Sequence, residues 1–488
     1  MNISQLIPTR KKIILYHCLF FFLLACYGVY VASVIINLPL QSYDESFNLL
    51  SSWEMQKSGN WIGITRYGIL DHWDIKPPLF TWLTALSYKL FGFTEWAGRL
   101  PSVIFGFGTI ISFYFFFISI TKNYFLGIIC SFGIALSIAF FGQHGITSGD
   151  YESVLIFFIL LSFISIIKIF FEKNQIWILI LTISLALGFM TKFVVGLIPL
   201  VFVIPAIIIN KGLGFKPNYR IIFLSIFIFC LIVVPYFVIR ESMYHENYLM
   251  LLFTESVFPK IFRDSIGHQG GWEYHFIQMN IVFREWSKLF YAALLFFIIQ
   301  LIKTRHIESK PFNIGLLSLS ALLIYLVIFT IPAFKANWYF HPVYPIMMLF
   351  IGVVLNDLFK EKLQWVLYIF LSLITIYEAR NLVLHNNDKM NRDYEYMTKK
   401  IILPNKDLIK NKTVLSADSL MPSAIAYIEI LTNGKHFKNS MYGEFNQHLS
   451  NKKDFDLVLV NDTSKVLNKE DLILISASGN MGLYVLKR

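Results

Sequence analysis

Charge is scarce in this chain. Only 15% of its 488 residues are Asp, Glu, Lys or Arg, while 56% are hydrophobic and 17% aromatic. An ordinary soluble domain is about 25% charged, so a soluble fold is excluded and a polytopic membrane protein remains. Cysteine is nearly absent as well. All four (Cys18, Cys26, Cys130, Cys230) fall inside apolar runs. No loop holds a pair to oxidise, which excludes a disulfide framework and a Cys-based metal site. The sequence has no Gly-rich phosphate loop opening a helix, no H-E-x-x-H pair and no cytoplasmic domain able to hold a nucleotide-activated substrate. Internal repeats and low-complexity segments are missing too.

What is present is a series of apolar runs. Met1 to Lys12 is basic and precedes about 28 uncharged residues. That run is too long for the apolar core of a cleaved signal peptide, so it is expected to stay as a helix. Arg10, Lys11 and Lys12 put its start in the cytoplasm by the positive-inside rule. Further spans are expected near 102–120, 124–141, 151–171, 176–190, 194–209, 221–239, 287–302, 313–331, 343–359 and 363–381, about eleven in all. The alternation they imply is consistent with charge. Every inward loop carries a cation: Lys122; Lys173; Lys211, Lys216 and Arg220; Lys303, Arg305 and Lys310; Lys360 and Lys362. The net charge of +11 is therefore topology plus a Lys-rich tail, not a nucleic-acid footprint.

The outward segments are 41–101, 143–150, the turn at 191–192, 240–286, 332–342 and everything after about 382. The first is too polar to cross a bilayer and too rich in Trp, Phe and Leu to be a free linker. Phe47, Leu50 and Trp53 recur at helical spacing, as do Leu79, Leu83, Leu86 and Leu90. Both pieces are expected to be amphipathic helices lying flat on the membrane, the second with Pro77 and Pro78 in its first turn. From about residue 399 the pattern changes. Short strands are expected at 413–417, 455–460, 472–476 and 483–486, a helix at 423–431 and a turn at 478–480. The organisation expected is an all-α membrane domain over 1–398 and a small extracytoplasmic α/β domain over 399–488.

Asp44-Glu45 after the first span, then Lys76-Pro77-Pro78-Leu79, then Arg99-Leu100-Pro101-Ser102, resembles the first outer loop of bacterial GT-C glycosyltransferases. The similarity is to the lipid A aminoarabinose transferase and the protein O-mannosyltransferases, over roughly the first three-quarters of the chain. It implies a sugar moved from a polyprenyl-phosphate carrier to a lipid, glycan or protein acceptor, by single displacement with inversion. Such chemistry needs a carboxylate to take the acceptor proton and fixed cations to meet the departing phosphate.

Asp44 is the expected base, with Glu45 beside it toward sugar or acceptor; capping the next helix is the alternative role for Asp44. Asp150 falls where the family carries its second acid, and it could equally cap the span behind it. The family's Lys-Pro-Pro lysine contacts the lipid phosphate, which assigns that role to Lys76. Arg99 is expected on the same phosphate or snorkelling at the interface. Thr191-Lys192 resembles a family Thr-Lys-Gly with Phe193 in place of Gly, so Lys192 either meets a lipid head group or anchors the turn. His268 in FRDSIGHQGGWEYH matches a family His near phosphate, and Trp272 and Tyr274 offer faces for a sugar. Lys335, Tyr339, Pro342 and Pro345 match a Lys-x-x-x-Tyr-x-x-Pro-x-x-Pro pattern, giving a further cation and a further aromatic face. In the aminoarabinose transferase a glutamate that helps bind a metal precedes the Lys-Pro-Pro; here it is Ile75, and Asp74 would substitute only with a shifted backbone. This counts against a divalent cofactor.

A transporter or flippase of lipid-linked sugars is the rival from another class. It predicts charged residues near the midplane and helices broken in matching halves, whereas these spans are nearly free of acids. A membrane scaffold would have no reason to gather cations and carboxylates in several outer loops. The expected setting is a bacterial inner membrane.

Overall fold

The structure is a computed structural model that describes residues 10–41, 43–72, 75–210, 218–262, 270–303, 309–359, 364–392, 394–417, 422–432, 437–440, 455–460, 472–479 and 481–486. The apolar runs form helices because no water is present in a bilayer core to satisfy free backbone groups. In chain order they are α1 (Arg10–Asn37), α2 (Asp44–Ser58), α3 (Leu79–Phe91), α4 (Glu95–Thr121), α5 (Tyr124–Ala135), α6 (Ile138–Phe141), α7 (Glu152–Glu172), α8 (Trp177–Lys192), a 3₁₀ stretch (Phe193–Phe202) and α9 (Val203–Ile209). There follow α10 (Tyr219–Tyr244), α11 (Tyr248–Leu251), α12 (Phe258–Phe262), α13 (Tyr274–Lys303), α14 (Lys310–Thr330), a 3₁₀ turn (Asn337–Val343), α15 (Tyr344–Leu358) and α16 (Gln364–Arg392).

Among the described residues nine helical stretches are long and apolar enough to cross a membrane, against the eleven expected. Two local features account for the difference. The stretch 177–209 counts once but is folded: the chain reverses at Phe193 (φ 48°), and a Cβ on Gly196 would stand 2.0 Å from the Gly188 carbonyl carbon. Residues 177–192 and 193–209 therefore run side by side. The expected span 124–141 is split into α5 and the single turn α6. It still runs from one rim of the bundle, where Asn123 donates to Asn356 at 2.8 Å, to the loop beyond Phe141 at the other rim. Helix α13 also begins earlier than expected and breaks at Arg284 (φ 42°).

The segment between α1 and α4 holds the two expected helices, α2 and α3, joined through a two-residue hairpin, β1 (Thr65–Arg66) with β2 (Ile69–Leu70). Helix α2, expected to lie on the membrane, is instead largely buried, with Leu49 and Leu50 packed in a core shared with the C-terminal segment. Leu86 and Leu90 of α3 are exposed, and its buried face is Phe80, Thr81, Thr84, Ala85, Ser87 and Tyr88. Leu79 and Leu83 of the same leucine stripe pack partly against the protein, so its second half alone suits a helix resting on lipid. The prolines stand just outside the helix, with Pro78 at its N-cap.

After α16 come α17 (Tyr394–Ile402), α18 (Lys406–Ile409), β3 (Val414–Ala417), α19 (Pro422–Thr432), β4 (Phe437–Ser440), β5 (Leu457–Val460), β6 (Leu472–Ser478) and β7 (Met481–Leu486). The strands form one sheet in the order β4-β3-β5-β7-β6, with β3 parallel to β4 and β5, and β7 antiparallel to β5 and β6. Strand β4 was not expected from the sequence. Helix α19 packs against α2, and Ala424, Ile425, Tyr427 and Ile428 share a core with Leu40, Leu49, Leu50 and Tyr88.

One polar knot ties these pieces together. Arg99 is fully buried (0% exposed) in α4 and donates to both oxygens of Glu45, at 2.7 and 2.9 Å. Its other N–H groups reach the carbonyls of Ile35 (3.0 Å), Leu38 (2.7 Å) and Pro39 (2.6 Å). Glu45 accepts further from the N–H of Gln41 and of Gly149, each at 2.7 Å. All five guanidinium N–H groups are engaged. This corrects two expectations: Arg99 is not placed to receive phosphate, and Glu45 is turned to Arg99 rather than to sugar or acceptor. Removing one partner of a buried pair costs about 3–5 kcal/mol. Arg99→Met and Glu45→Gln should each lower unfolding free energy by that order in detergent, measured by denaturant titration. A loss of substrate affinity at unchanged stability would contradict this role.

Candidate active site

Five separated stretches of chain line a cavity of about 560 Å³ at the rim where α2 begins. Its walls include Asp44 and Arg66 from the first loop, Gln143, His144 and Asp150 from the loop between α6 and α7, Lys192, Lys260, and Trp338 and Tyr339.

The acidic group is built by two turns. Tyr43 takes φ 64° as the N-cap of α2, and Asp44 follows as the first residue of that helix and lines the cavity. Gly149 lies against Leu49 of α2: a Cβ at position 149 would stand 2.7 Å from a Leu49 methyl group and would push that side chain aside. Asp150, next in sequence, is buried and accepts from the Tyr151 N–H at 2.7 Å and from Asn48 at 3.2 Å. His144 (φ 61°) hydrogen-bonds Asp150 through Nδ1, which also lies 3.9 Å from Asp44 Oδ2. Its ring stacks on Trp338 with centroids 4.2 Å apart. Burial disfavours charge on this imidazole, but the carboxylates of Asp150, Glu152 and Asp44 raise its pKa above the ordinary histidine value.

The cationic group stands on aromatic faces. Lys76 Nζ lies 4.4 Å from the centre of the Tyr151 ring and Lys192 Nζ 4.8 Å from that of Tyr339. Lys192 also pairs with Glu152. The backbone carbonyl of Lys76 accepts from Tyr248 Oη at 2.7 Å, which fixes the loop ahead of the prolines. Arg66 lies 4.1 Å over Phe47, one turn along α2 from Asp44, and pairs with Asp71 at 2.6 Å.

Of the residues singled out in the sequence, Asp44, Lys76, Asp150, Lys192 and Tyr339 meet at this cavity. His268 lies outside the described residues. Lys335 is elsewhere: its ammonium donates to the carbonyls of Thr330 and Pro332 at the end of α14, and burial lowers its pKa. It holds that helix end, and its neighbour Phe334 lines the cavity instead. Trp272 is 74% exposed and Tyr274 starts α13; neither lines the cavity. Sequence reasoning passed over His144, Trp338, Glu152, Arg66 and Lys260. The signal for His144 was its place in a Gly-flanked turn six residues before Asp150.

Asp44, His144 and Asp150 each offer a ligand atom, all within 4.8 Å of one another. Two oxygens and one imidazole nitrogen are a donor set that suits zinc or manganese. Ile75, where the sequence comparison looked for a metal ligand, is instead buried among apolar side chains. Dialysis against Zn²⁺ or Mn²⁺ should therefore load about one ion per chain on the wild type. His144→Ala with Asp150→Asn should remove it, read by elemental analysis, and unchanged loading would place the ion elsewhere.

Long helices beneath loops that gather acids and cations around one cavity define the layout of a GT-C membrane glycosyltransferase. The chain has that fold. Residues 75–239 match the family described as dolichyl-phosphate-mannose-protein mannosyltransferase. ArnT from Cupriavidus metallidurans bound to undecaprenyl phosphate superposes with a TM-score of 0.65 at 13% identity, covering 98% of each chain. The archaeal oligosaccharyltransferase AglB from Archaeoglobus fulgidus, in complex with an inhibitory peptide and a dolichol-phosphate, gives 0.55 at 11% identity, covering 96% of this chain and 74% of that one. Two uncharacterized proteins of Aquifex aeolicus are similar in sequence, at 36% identity over 78 residues and 24% over 349. The alignments cover 16% and 70% of this chain, and span 18% and 65% of those relatives.

Proposed function

We propose that this protein is an inverting glycosyltransferase that takes a sugar from a polyprenyl-phosphate carrier and passes it to a lipid, glycan or protein acceptor. The reaction is assigned to the extracytoplasmic face of a bacterial inner membrane, with 1–398 as the transferase domain and 399–488 as a domain outside the membrane. The observation that carries this reading is the cavity itself, where the carboxylates of Asp44 and Asp150 and the ammonium groups of Lys76, Lys192 and Lys260 line one space. Structural likeness to proteins solved with undecaprenyl phosphate and dolichol-phosphate supports it.

Asp44 takes the proton from the acceptor hydroxyl as the hydroxyl oxygen attacks the anomeric carbon. The bond from that carbon to the carrier phosphate breaks, and its electron pair leaves with the phosphate. Asp150, oriented by His144 and Asn48, steadies the positive charge that develops on the sugar. Lys76 and Lys192 receive the phosphate. An ammonium has three N–H groups, so the one Lys192 gives to Glu152 leaves others for phosphate oxygens. Trp338 and Tyr339 offer faces for the sugar ring. A bound divalent ion would add Lewis-acid polarisation at the acceptor oxygen.

With reconstituted protein and a polyprenyl-phosphate sugar, Asp44→Asn should cut kcat by about 10²–10⁴-fold, the usual worth of a general base. Lys76→Met should raise the KM for the donor while the protein stays folded. Wild-type turnover by Asp44→Asn would overturn the assignment. Mass spectra of envelope lipids and glycans from cells with and without the gene would name the sugar and its acceptor.

A further inference from the structure

The C-terminal α/β domain makes its most specific contacts at the crossing that delivers Asp44. An α-helix ends with four carbonyls lacking intrahelical partners. At the end of α1, Arg99 takes those of Ile35 and Leu38, and also Pro39 beyond. The two between them are taken from outside the membrane domain. Lys399, in α17, reaches the carbonyls of Ile36 at 3.3 Å and Asn37 at 3.4 Å. Its charge also complements the negative end of the α1 dipole.

Two more bonds complete the joint. Tyr427 Oη, on α19, accepts from the Leu40 N–H at 3.1 Å and donates to Glu95 Oε1 at 2.9 Å. Lys399 Nζ pairs with the same Glu95 oxygen at 2.9 Å. Glu95 opens α4, four residues before Arg99, so the two sets of contacts brace each other. Behind the polar joint, α19 presses Ala424, Ile425 and Ile428 onto the side of α2 that carries Leu49 and Leu50. From Ile35 to Leu40 the polar backbone is thus held by Arg99, Lys399 and Tyr427, and Asp44 follows four residues later.

We propose that the C-terminal domain is a working part of the transfer site, with Lys399 and Tyr427 as positioning residues that set where Asp44 stands. The inference rests on the reading of Asp44 as the base. A displacement of about 1 Å in a catalytic group can cost about a hundredfold in rate. Loosening the crossing should therefore lower kcat without touching the cations that hold the donor.

The test uses the full chain in lipid nanodiscs, with Lys399→Met and Tyr427→Phe made singly and together. The double variant should show amide exchange over residues 38–47 raised about tenfold, with kcat lowered about tenfold and donor KM unchanged. Lys399→Arg should retain activity. Tyr484→Ala serves as a control, because Tyr484 is buried in a separate core with Leu415, Val458 and Val460. It should lower the melting temperature of the domain while kcat stays near wild type. Unchanged exchange over 38–47 in the double variant would overturn the proposal. So would Tyr484→Ala lowering kcat as far as Tyr427→Phe at an equal loss of melting temperature. A wild type inactive on every polyprenyl-phosphate sugar would count against the proposed function, whereas the exchange measurement would still decide whether the domain holds the crossing.

Discussion

The Arg99–Glu45 fork is the contact on which the site depends. A buried ion pair survives the loss of water only when every donor and acceptor finds a partner, and here the partners come from four segments of chain. The end of α1 supplies carbonyls, the start of α2 supplies Glu45, α4 supplies Arg99, and the loop before α7 supplies the Gly149 N–H. Asp44 immediately precedes Glu45, and Asp150 immediately follows Gly149. Two of the carboxylates that line the cavity are therefore sequence neighbours of Glu45, which Arg99 holds, and of the Gly149 N–H, which Glu45 holds in turn. Their separation is set by a contact that never touches a ligand.

Holding like charges together requires compensation, and the two groups solve this differently. On the acidic side His144 stands between Asp150 and Asp44, stacked on Trp338, so that one ring offsets both carboxylates. On the cationic side ring faces and a carboxylate share the task. Lys76 lies over Tyr151 and Lys192 over Tyr339, and Lys192 also pairs with Glu152. Glu152 pairs with Lys192 and lies close enough to His144 to favour its charged form, so one carboxylate serves both groups.

Much of this was legible in the sequence. The apolar runs, the existence of the two helices in the first loop and most of the tail strands follow from composition and spacing, because burial in lipid or in a small sheet leaves a local signature. The burial of α2 against the tail does not, because its partner lies over 350 residues away. Strand β4 did not, since Phe437–Ser440 has no alternation and becomes a strand by pairing with β3. The reversal at Phe193 placed two spans where a count of continuous helix finds one. In the site, the residues beside turn-forming glycines and prolines, Asp150 and Lys76, were readable. Partner choice was not. Arg99 and Lys335 look from sequence like Lys76, and only three-dimensional placement shows that backbone carbonyls take their N–H groups first. Trp338 carried no signal in the sequence, because its contact with His144 joins positions 194 apart in the chain.

The cations at this rim thus divide by what they face. Arg99, Lys335 and Lys399 bond to carbonyls at the ends of α1 and α14. Arg240 is stacked 3.9 Å over Tyr248 and donates to the Ile62 carbonyl at 3.3 Å. These residues cap helices and pin loops, and Tyr248 in turn pins the backbone of Lys76. Lys76 and Lys192 instead stand over rings at the cavity, Lys192 also paired with Glu152. The division has a physical cause. Helix ends at a membrane surface expose carbonyls that lipid cannot satisfy, so the first use of a cation there is to finish the fold. A cation that lies over an aromatic face at the cavity is not spent on a helix end. Arg66 is arranged as Lys192 is: it lies over Phe47 at the cavity, and the carboxylate of Asp71 holds one end of its guanidinium.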